Sequence, residues 1–259
     1  MGKEPKNRKV GILGATGRMG RAAHQAVSEA EGLELVALFD IKQDKSLIDE
    51  IPVSTSLNEF IAAAPEVVID FTVAEASLTN LPEIAAAGIH AIVGTSGLTE
   101  DDCKSLNEVF NKSSCLIVPN FAIGAVLMMK FAEIASPWFK TAEIIEFHHN
   151  EKVDAPSGTA LATAELMANA SKEWAEDPTI NETLSGTRGG TAESSIKIHA
   201  VRMEGMVAHQ EVLLGTTGQS LLIRHDTTDR NAFMPGVVLA AQRIQGTGLT
   251  VGLESLLGI

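Results

Sequence analysis

The stretch KVGILGATGRMG, residues 9 to 20, constrains the fold most tightly: an apolar run passes through a glycine loop straight into an alanine-rich amphipathic stretch, RMGRAAHQAVSEA. The same alternation recurs through LELVALF, EVVIDF, HAIVG and SCLIV, as far as about Val118. It means successive βαβ units. Apolar runs without polar alternation suit strands covered by helices on both faces, and right-handed crossovers then make a doubly wound parallel sheet.

After Asn120 the rhythm changes. A helical stretch from about Ile123 to Trp138 precedes a strand candidate, AEIIEFHH, and a helix opens at Pro156 and Ser157. Beyond the loop TLSGTRGGTAES, the runs SSIKIHAVR, MVAHQEVLLG and QSLLIRHD follow one another without helices. Ile196, Ile198 and Ala200 alternate with Lys197 and His199, the period of a sheet with one covered face, antiparallel or mixed. GTTG at 215 to 218 reads as a hairpin turn without function. A chain of 259 residues can bury two modest cores. The expected layout is therefore one domain of residues 1–121 joined by about 229–259, whose helix near Asp229 to Gln245 returns to it, and a second α+β domain of residues 122–228.

A formal net charge of -13 removes electrostatic support for non-specific binding to nucleic acid or anionic membranes. The most apolar stretch, FAIGAVLMMKFAEIA, is interrupted by Lys130 and Glu133, and the polar start MGKEPKNRK has no signal-peptide core. With only Cys103 and Cys115, neither a disulfide framework nor a zinc site is expected. The expectation is a cytoplasmic protein without metal.

Gly14 permits the tight turn, Gly17 admits a pyrophosphate to backbone N–H groups, and Gly20 lets helix pack on strand. The spacing is G-x-x-G-x-x-G, with Thr16 where the more familiar pattern has its second glycine. Asp40 ends the second strand 20 residues beyond Gly20, placed for adenosine ribose hydroxyls. Lys42 and Lys45 follow and suit a 2′-phosphate, so NADH and NADPH both stay open. GTSG at 94 to 97 and VPNF at 118 to 121 lie at the carboxyl ends of predicted strands and are candidates to line the nicotinamide.

HHNEKVDAPSGT, residues 148 to 159, sits where a strand meets a helix. The N–H groups of a helix start near Gly158 and Thr159 suit a carboxylate, Lys152 adds positive charge and a transferable proton, and a histidine exchanges protons near neutrality. The plainer alternative is a solvated loop in which Asp154 caps the helix or pairs with Lys152.

With GATGRMG, DFT at 70 to 72, GTSG, PNFAIG at 119 to 124, EFHHNEKVDAPSGT and IHAVR at 198 to 202, the chain resembles the 4-hydroxy-tetrahydrodipicolinate (dihydrodipicolinate) reductase family over nearly its whole length. The resemblance implies a Rossmann-like domain, a second domain that binds substrate and builds a homotetramer, and NAD(P)H-dependent reduction of a small cyclic imine with two carboxylates in lysine and diaminopimelate biosynthesis. It makes His148 the acid/base residue, Lys152 a proton donor, and His149, Gly158 and Thr159 substrate contacts. Cofactor contacts fall on Gly14, Ala15, Thr16, Gly17, Arg18, Met19, Asp40, Gly94, Thr95, Ser96, Val118, Pro119, Asn120 and Phe121. The competing readings are another two-domain NAD(P)-dependent dehydrogenase and a non-catalytic dinucleotide sensor.

Overall fold

The runs of apolar residues become buried strands joined by amphipathic helices. In this computed structural model, which describes residues 7–42, 47–48 and 51–259, β1 (Arg8–Leu13) leads through GATG into α1 (Arg18–Glu29). There follow β2 (Leu33–Phe39), β3 (Leu47–Ile48), β4 (Ile51–Ser54), α2 (Leu57–Ala62), β5 (Val67–Asp70), α3 (Ala74–Ala86), β6 (His90–Val93), α4 (Glu100–Val109) and β7 (Ser114–Ile117). The chain then forms α5 (Ile123–Ala135), β8 (Thr141–His148), α6 (Gly158–Ala170), β9 (Gly190–Thr191), β10 (Lys197–Arg202), β11 (Ala208–Thr216) and β12 (Gln219–Thr227). It closes with α7 (Met234–Arg243), β13 (Gly248–Val251) and α8 (Glu254–Leu257).

The chain divides into two compact units, one running to Ile123 and resuming at Phe233–Ile259, the other Gly124–Ala232. In the first, the sheet order is β13-β7-β6-β5-β1-β2-β4-β3. Every neighbouring pair is parallel except β3 with β4. The chain steps from β1 outward to β2, then crosses to β5 on the other side, so the order reverses between β1 and β5; ligands of such sheets bind beyond the strand ends at that reversal. Val10, Ile12, Val67, Val68 and Ile69 are fully buried there. The doubly wound reading holds, with three strands added that the sequence reading did not assign: β3 and β4 beyond β2, and the short run GLTV, which forms β13 beside β7. Burial pushes the Cys115 thiol up to about 12, which makes it an inert core side chain.

In the second unit the order β12-β11-β8-β10-β9 combines a parallel β8–β10 pair with antiparallel neighbours. It is a mixed sheet. Its covered face is a row of Val212, Ile144 and Ile198, aligned across β11, β8 and β10, under Met128 and Ala132 of α5 and Ala160, Ala164 and Met167 of α6. A fully buried Ile side chain such as Ile144 contributes about 1.5–3 kcal/mol. Because strand side chains alternate with period two, the next row on this same face holds Glu146 opposite Gln210. The row beyond it holds His148 opposite Arg202 and Ala208. Moving along β8, the face turns from oil to charge beneath the start of α6. The tip of the β11–β12 hairpin falls at Thr217–Gly218, as the turn reading expects.

Candidate active site

On the first unit the glycine loop is shaped by backbone crowding. Gly14 has φ +77°, and a Cβ there would stand 2.7 Å from the Phe71 carbonyl oxygen. A Cβ on Gly20 would stand 2.1 Å from the Gly14 carbonyl oxygen and 2.8 Å from the Ala15 Cα. α1 therefore rests on the turn at a distance that no side chain allows. Its N-cap is Gly17, whose lack of a side chain leaves no cap hydrogen bond, and no acidic residue stands in the first turn. A helix start of this kind, with Arg18 and Met19 as its first residues, suits a pyrophosphate. Ala15 is buried, while Gly17 and Arg18 are exposed.

Asp40 fastens the loop. Its Oδ2 accepts from the Thr16 N–H at 3.0 Å and the Thr16 hydroxyl at 2.6 Å, and Oδ1 from the Lys42 N–H at 3.0 Å. Burial works against the charge, but the bonds from Thr16 and Lys42 win and hold the carboxyl below the usual range. Thr16, which broke the familiar glycine pattern, is thus the donor that ties loop to strand. Lys42 is exposed, and Lys45 lies outside the described residues.

The loops after β5 and β6 are joined by Asp70, which is fully buried. It accepts from the Thr72 N–H and hydroxyl at 2.8 and 2.6 Å, from Ser77 at 2.6 Å and from Thr95 at 3.4 Å. Thr95 is buried and Ser96 exposed. Phe71 packs edge-on to Phe121 with centroids 5.6 Å apart, and a Cβ on Gly94 would sit 2.2 Å from the Phe71 ring. Val118 and Phe121 are buried, so their backbones and the exposed Pro119 are what this edge presents; the Asn120 side-chain Oδ1 accepts from the Ala122 N–H at 2.9 Å. The predicted cofactor positions thus lie at the carboxyl ends of β1, β2, β6 and β7.

On the second unit, β8 ends at His148, and the loop that follows returns to α6. Ser157 is the N-cap, its hydroxyl accepting from the Ala160 N–H at 3.2 Å. Asp154 is therefore not the cap; it pairs with Lys152 at 2.6 Å. Lys152 donates its N–H to the His149 carbonyl at 3.2 Å, which folds the loop back. The side chains of His148 and Lys152 are 16% and 19% exposed, so neither points into open water. Gly158 is exposed, and a Cβ there would meet nothing within 4 Å. Space is left at the helix start.

These residues are joined by two that the sequence reading gave no role. Glu146, fully buried, bonds the His148 Nδ1 at 2.5 Å, both terminal nitrogens of Arg202 at 2.7 and 2.8 Å, and the Ser157 N–H at 3.1 Å. Arg202 also donates to the Asp154 carbonyl oxygen at 2.7 Å. Burial opposes the Glu146 charge, yet the bonds from Arg202 and His148 keep its pKa below the ordinary value. A carboxyl depressed in the folded state stabilises it above the unfolded pKa, and that contribution is lost as pH falls through the folded one. For His148 burial is the largest effect and Lys152 and Arg202 add to it, so its pKa is lowered although Glu146 pulls upward. Among the described residues no cluster of three or more His, Cys, Asp or Glu could hold a metal.

Two family models cover the chain: dihydrodipicolinate reductase, N-terminus, at residues 8–121, and dihydrodipicolinate reductase, C-terminus, at residues 124–257. The chain belongs to the dihydrodipicolinate reductase family. Proteins named 4-hydroxy-tetrahydrodipicolinate reductase from Corynebacterium urealyticum and Mycolicibacterium smegmatis are 45% and 46% identical to it, each alignment covering 97% of this chain and 99% of the relative. The solved dipicolinate-bound dihydrodipicolinate reductase of Paenisporosarcina sp. TG-14 superposes with TM-score 0.86 at 37% identity, over 96% of this chain and 99% of that one. An engineered D-amino acid dehydrogenase bound to NADP+ shares the fold alone, with TM-score 0.58 at 14% identity over 97% and 96% of the two chains. A reductase of this family carries a Rossmann-like nucleotide-binding domain and uses NADH or NADPH. Among the described residues no helix is long and apolar enough to cross a membrane.

Proposed function

We propose that the protein catalyses the NAD(P)H-dependent reduction of 4-hydroxy-tetrahydrodipicolinate, by way of dihydrodipicolinate, to tetrahydrodipicolinate in lysine and diaminopimelate biosynthesis. The observation that carries this reading is the β8–α6 junction, where one buried carboxylate holds a histidine and an open helix start, with a lysine on the loop between them. The unit of about residues 1–121 with 229–259 binds the dinucleotide, at Gly14 to Met19, Asp40, Gly94 to Ser96 and Val118 to Phe121. The unit of about 122–228 takes the substrate.

One substrate carboxylate docks at Gly158 and Thr159, where the α6 dipole and backbone N–H groups favour an anion, with His149 and Lys152 flanking it. When bound, the nicotinamide supplies a hydride to the conjugated imine formed by loss of water. The product of that addition carries an extra electron pair, and one proton completes the reduction; His148 delivers it from Nε2 and is reloaded from solvent. Lys152 offsets the accumulating negative charge.

Gly158→Val tests the anion site. Its Cβ meets no protein atom within 4 Å, so Tm stays close to the parental value while the Michaelis constant for substrate rises about tenfold to 100-fold, the equivalent of one charge-assisted hydrogen bond. An unchanged Michaelis constant contradicts the assignment. The pH profile tests the acid. In the free protein the depressed His148 pKa leaves the ring neutral at neutral pH, and a bound dianion favours the protonated ring. The expected outcome is that kcat/KM declines with rising pH through a pKa below the ordinary histidine value, and kcat through a higher one. Coincident limbs contradict it.

The uncovered face of the second sheet exposes Leu213 at 38% and, directly opposite it, Leu222 at 55%, and this is the surface through which the chain forms a homotetramer in the cytoplasm; sedimentation checks the state. The deciding experiment for the activity is nicotinamide oxidation with NADH and with NADPH. Oxidation that depends strictly on the dipicolinate precursor supports the reductase; binding without turnover marks a sensor, and turnover of amino acids instead marks another dehydrogenase.

A further inference from the structure

Glu146 has no task in the reaction as described, yet it sits at the centre of the junction. It is an ionised carboxylate, and such a group only accepts hydrogen bonds. The His148 Nδ1, 2.5 Å from Oε2, must therefore be the protonated nitrogen, which leaves Nε2 to carry the exchangeable proton. The carboxylate cannot swing away, because Arg202 grips both oxygens at 2.7 and 2.8 Å and the Ser157 N–H holds Oε1 at 3.1 Å. We infer that Glu146 is a positioning residue that fixes the tautomer and orientation of His148 and registers it against the start of α6. The inference rests on reading His148 as the proton donor.

The charged neighbours of the ring are few. Glu146 lies on its own strand, Arg202 faces it from β10 and Lys152 from the loop, while Asp154 bonds the last two. On β11 the opposing residue is Ala208, and the first turn of α6 has no acidic residue. No other carboxylate among these neighbours contacts the ring, so the orienting role falls to Glu146. A metal-ligating histidine is oriented by a carboxylate on its second nitrogen in the same way, and loss of that partner typically costs about 10–100-fold in activity or affinity. The alternative is that Glu146 serves only to neutralise the partly buried Arg202.

The intact parental protein, Glu146→Gln and the double variant Glu146→Gln with Arg202→Met separate the two. Removing one member of a buried pair leaves the other uncompensated, so the single variant loses Tm, and the double variant, with neither charge, recovers it. Positioning requires that kcat stay about 10–100-fold down in the double variant despite that recovery. Its descending pH limb moves to lower pH, because the upward pull of Glu146 on the His148 pKa outweighs the downward push of Arg202 and both are gone. Nitrogen-15 shifts of the His148 ring, read without substrate, should show the Nδ1–H tautomer in the parent and a mixture in both variants. Recovery of kcat together with Tm, or a parental tautomer in the double variant, overturns the inference. If the parent itself fails to oxidise nicotinamide with the dipicolinate precursor, the functional reading fails, and the ring shifts still decide the role of Glu146.

Discussion

His148→Gln lowers kcat by about 10²–10⁴-fold, the usual worth of a positioned acid or base, while the dissociation constant for NADH, read by fluorescence titration, stays at the parental value. The reason for the split is topological. His148 ends β8 in the unit Gly124–Ala232, whereas the glycine loop, Asp40 and Gly94 belong to the other unit. Glutamine fills similar space and its amide N–H can donate to Glu146 in place of the Nδ1–H, so the loss falls on proton delivery rather than on folding. Undiminished kcat would remove His148 from the acid role; weakened NADH binding with intact kcat would place it on the cofactor instead.

Gly20→Ala costs about 1–3 kcal/mol as an overpacked contact, a fall in Tm of roughly 2–12 °C for a chain of this size. The added methyl would be driven to 2.1 Å from the Gly14 carbonyl oxygen, a backbone atom that cannot rotate aside. α1 must lift from the turn, and with it the N–H groups of its first residues. Loss of one hydrogen bond to a charged phosphate is worth about 1.5–3 kcal/mol, so cofactor affinity falls about tenfold to 100-fold. Calorimetric melting and a binding isotherm check the two halves separately. A variant that melts like the parent and binds NAD(P)H equally well would show that the close approach has no energetic weight.

Gly14, Gly17 and Gly20 were readable because the switch from strand to helix leaves a mark in the local pattern, and a glycine placed at that switch admits few interpretations. The HHNEKVDAPSGT stretch was readable for the same reason: acid, cation and helix start are neighbours in sequence. Glu146 was not. In AEIIEFHH it looks like the polar member of a strand's alternation, and the residue that explains it, Arg202, stands 56 positions away. Only when β10 lies parallel to β8, with Arg202 in register with His148, does a solitary acid become the hub of a buried network. β13 was hidden differently: GLTV is too short and too lightly apolar to announce a strand, and its pairing with β7 depends on a chain that has already passed through the whole second unit. Asp40 shows a third case, in which the position was legible but its bonds to Thr16 were not.

The placement of β13 and α7 has a bearing on how the protein is made. Arg8, at the opening of β1, donates to the carbonyl oxygens of Ala241 and Ile244 at 2.9 and 2.7 Å, and β13 pads the flank of β7. On the ribosome, the stretch Gly124–Ala232 emerges uninterrupted and can reach its final form while the earlier-made half still waits for its closing pieces. The half translated first is thus the half completed last, and a chaperone that guards nascent chains would meet an unfinished nucleotide-binding sheet throughout synthesis of the other.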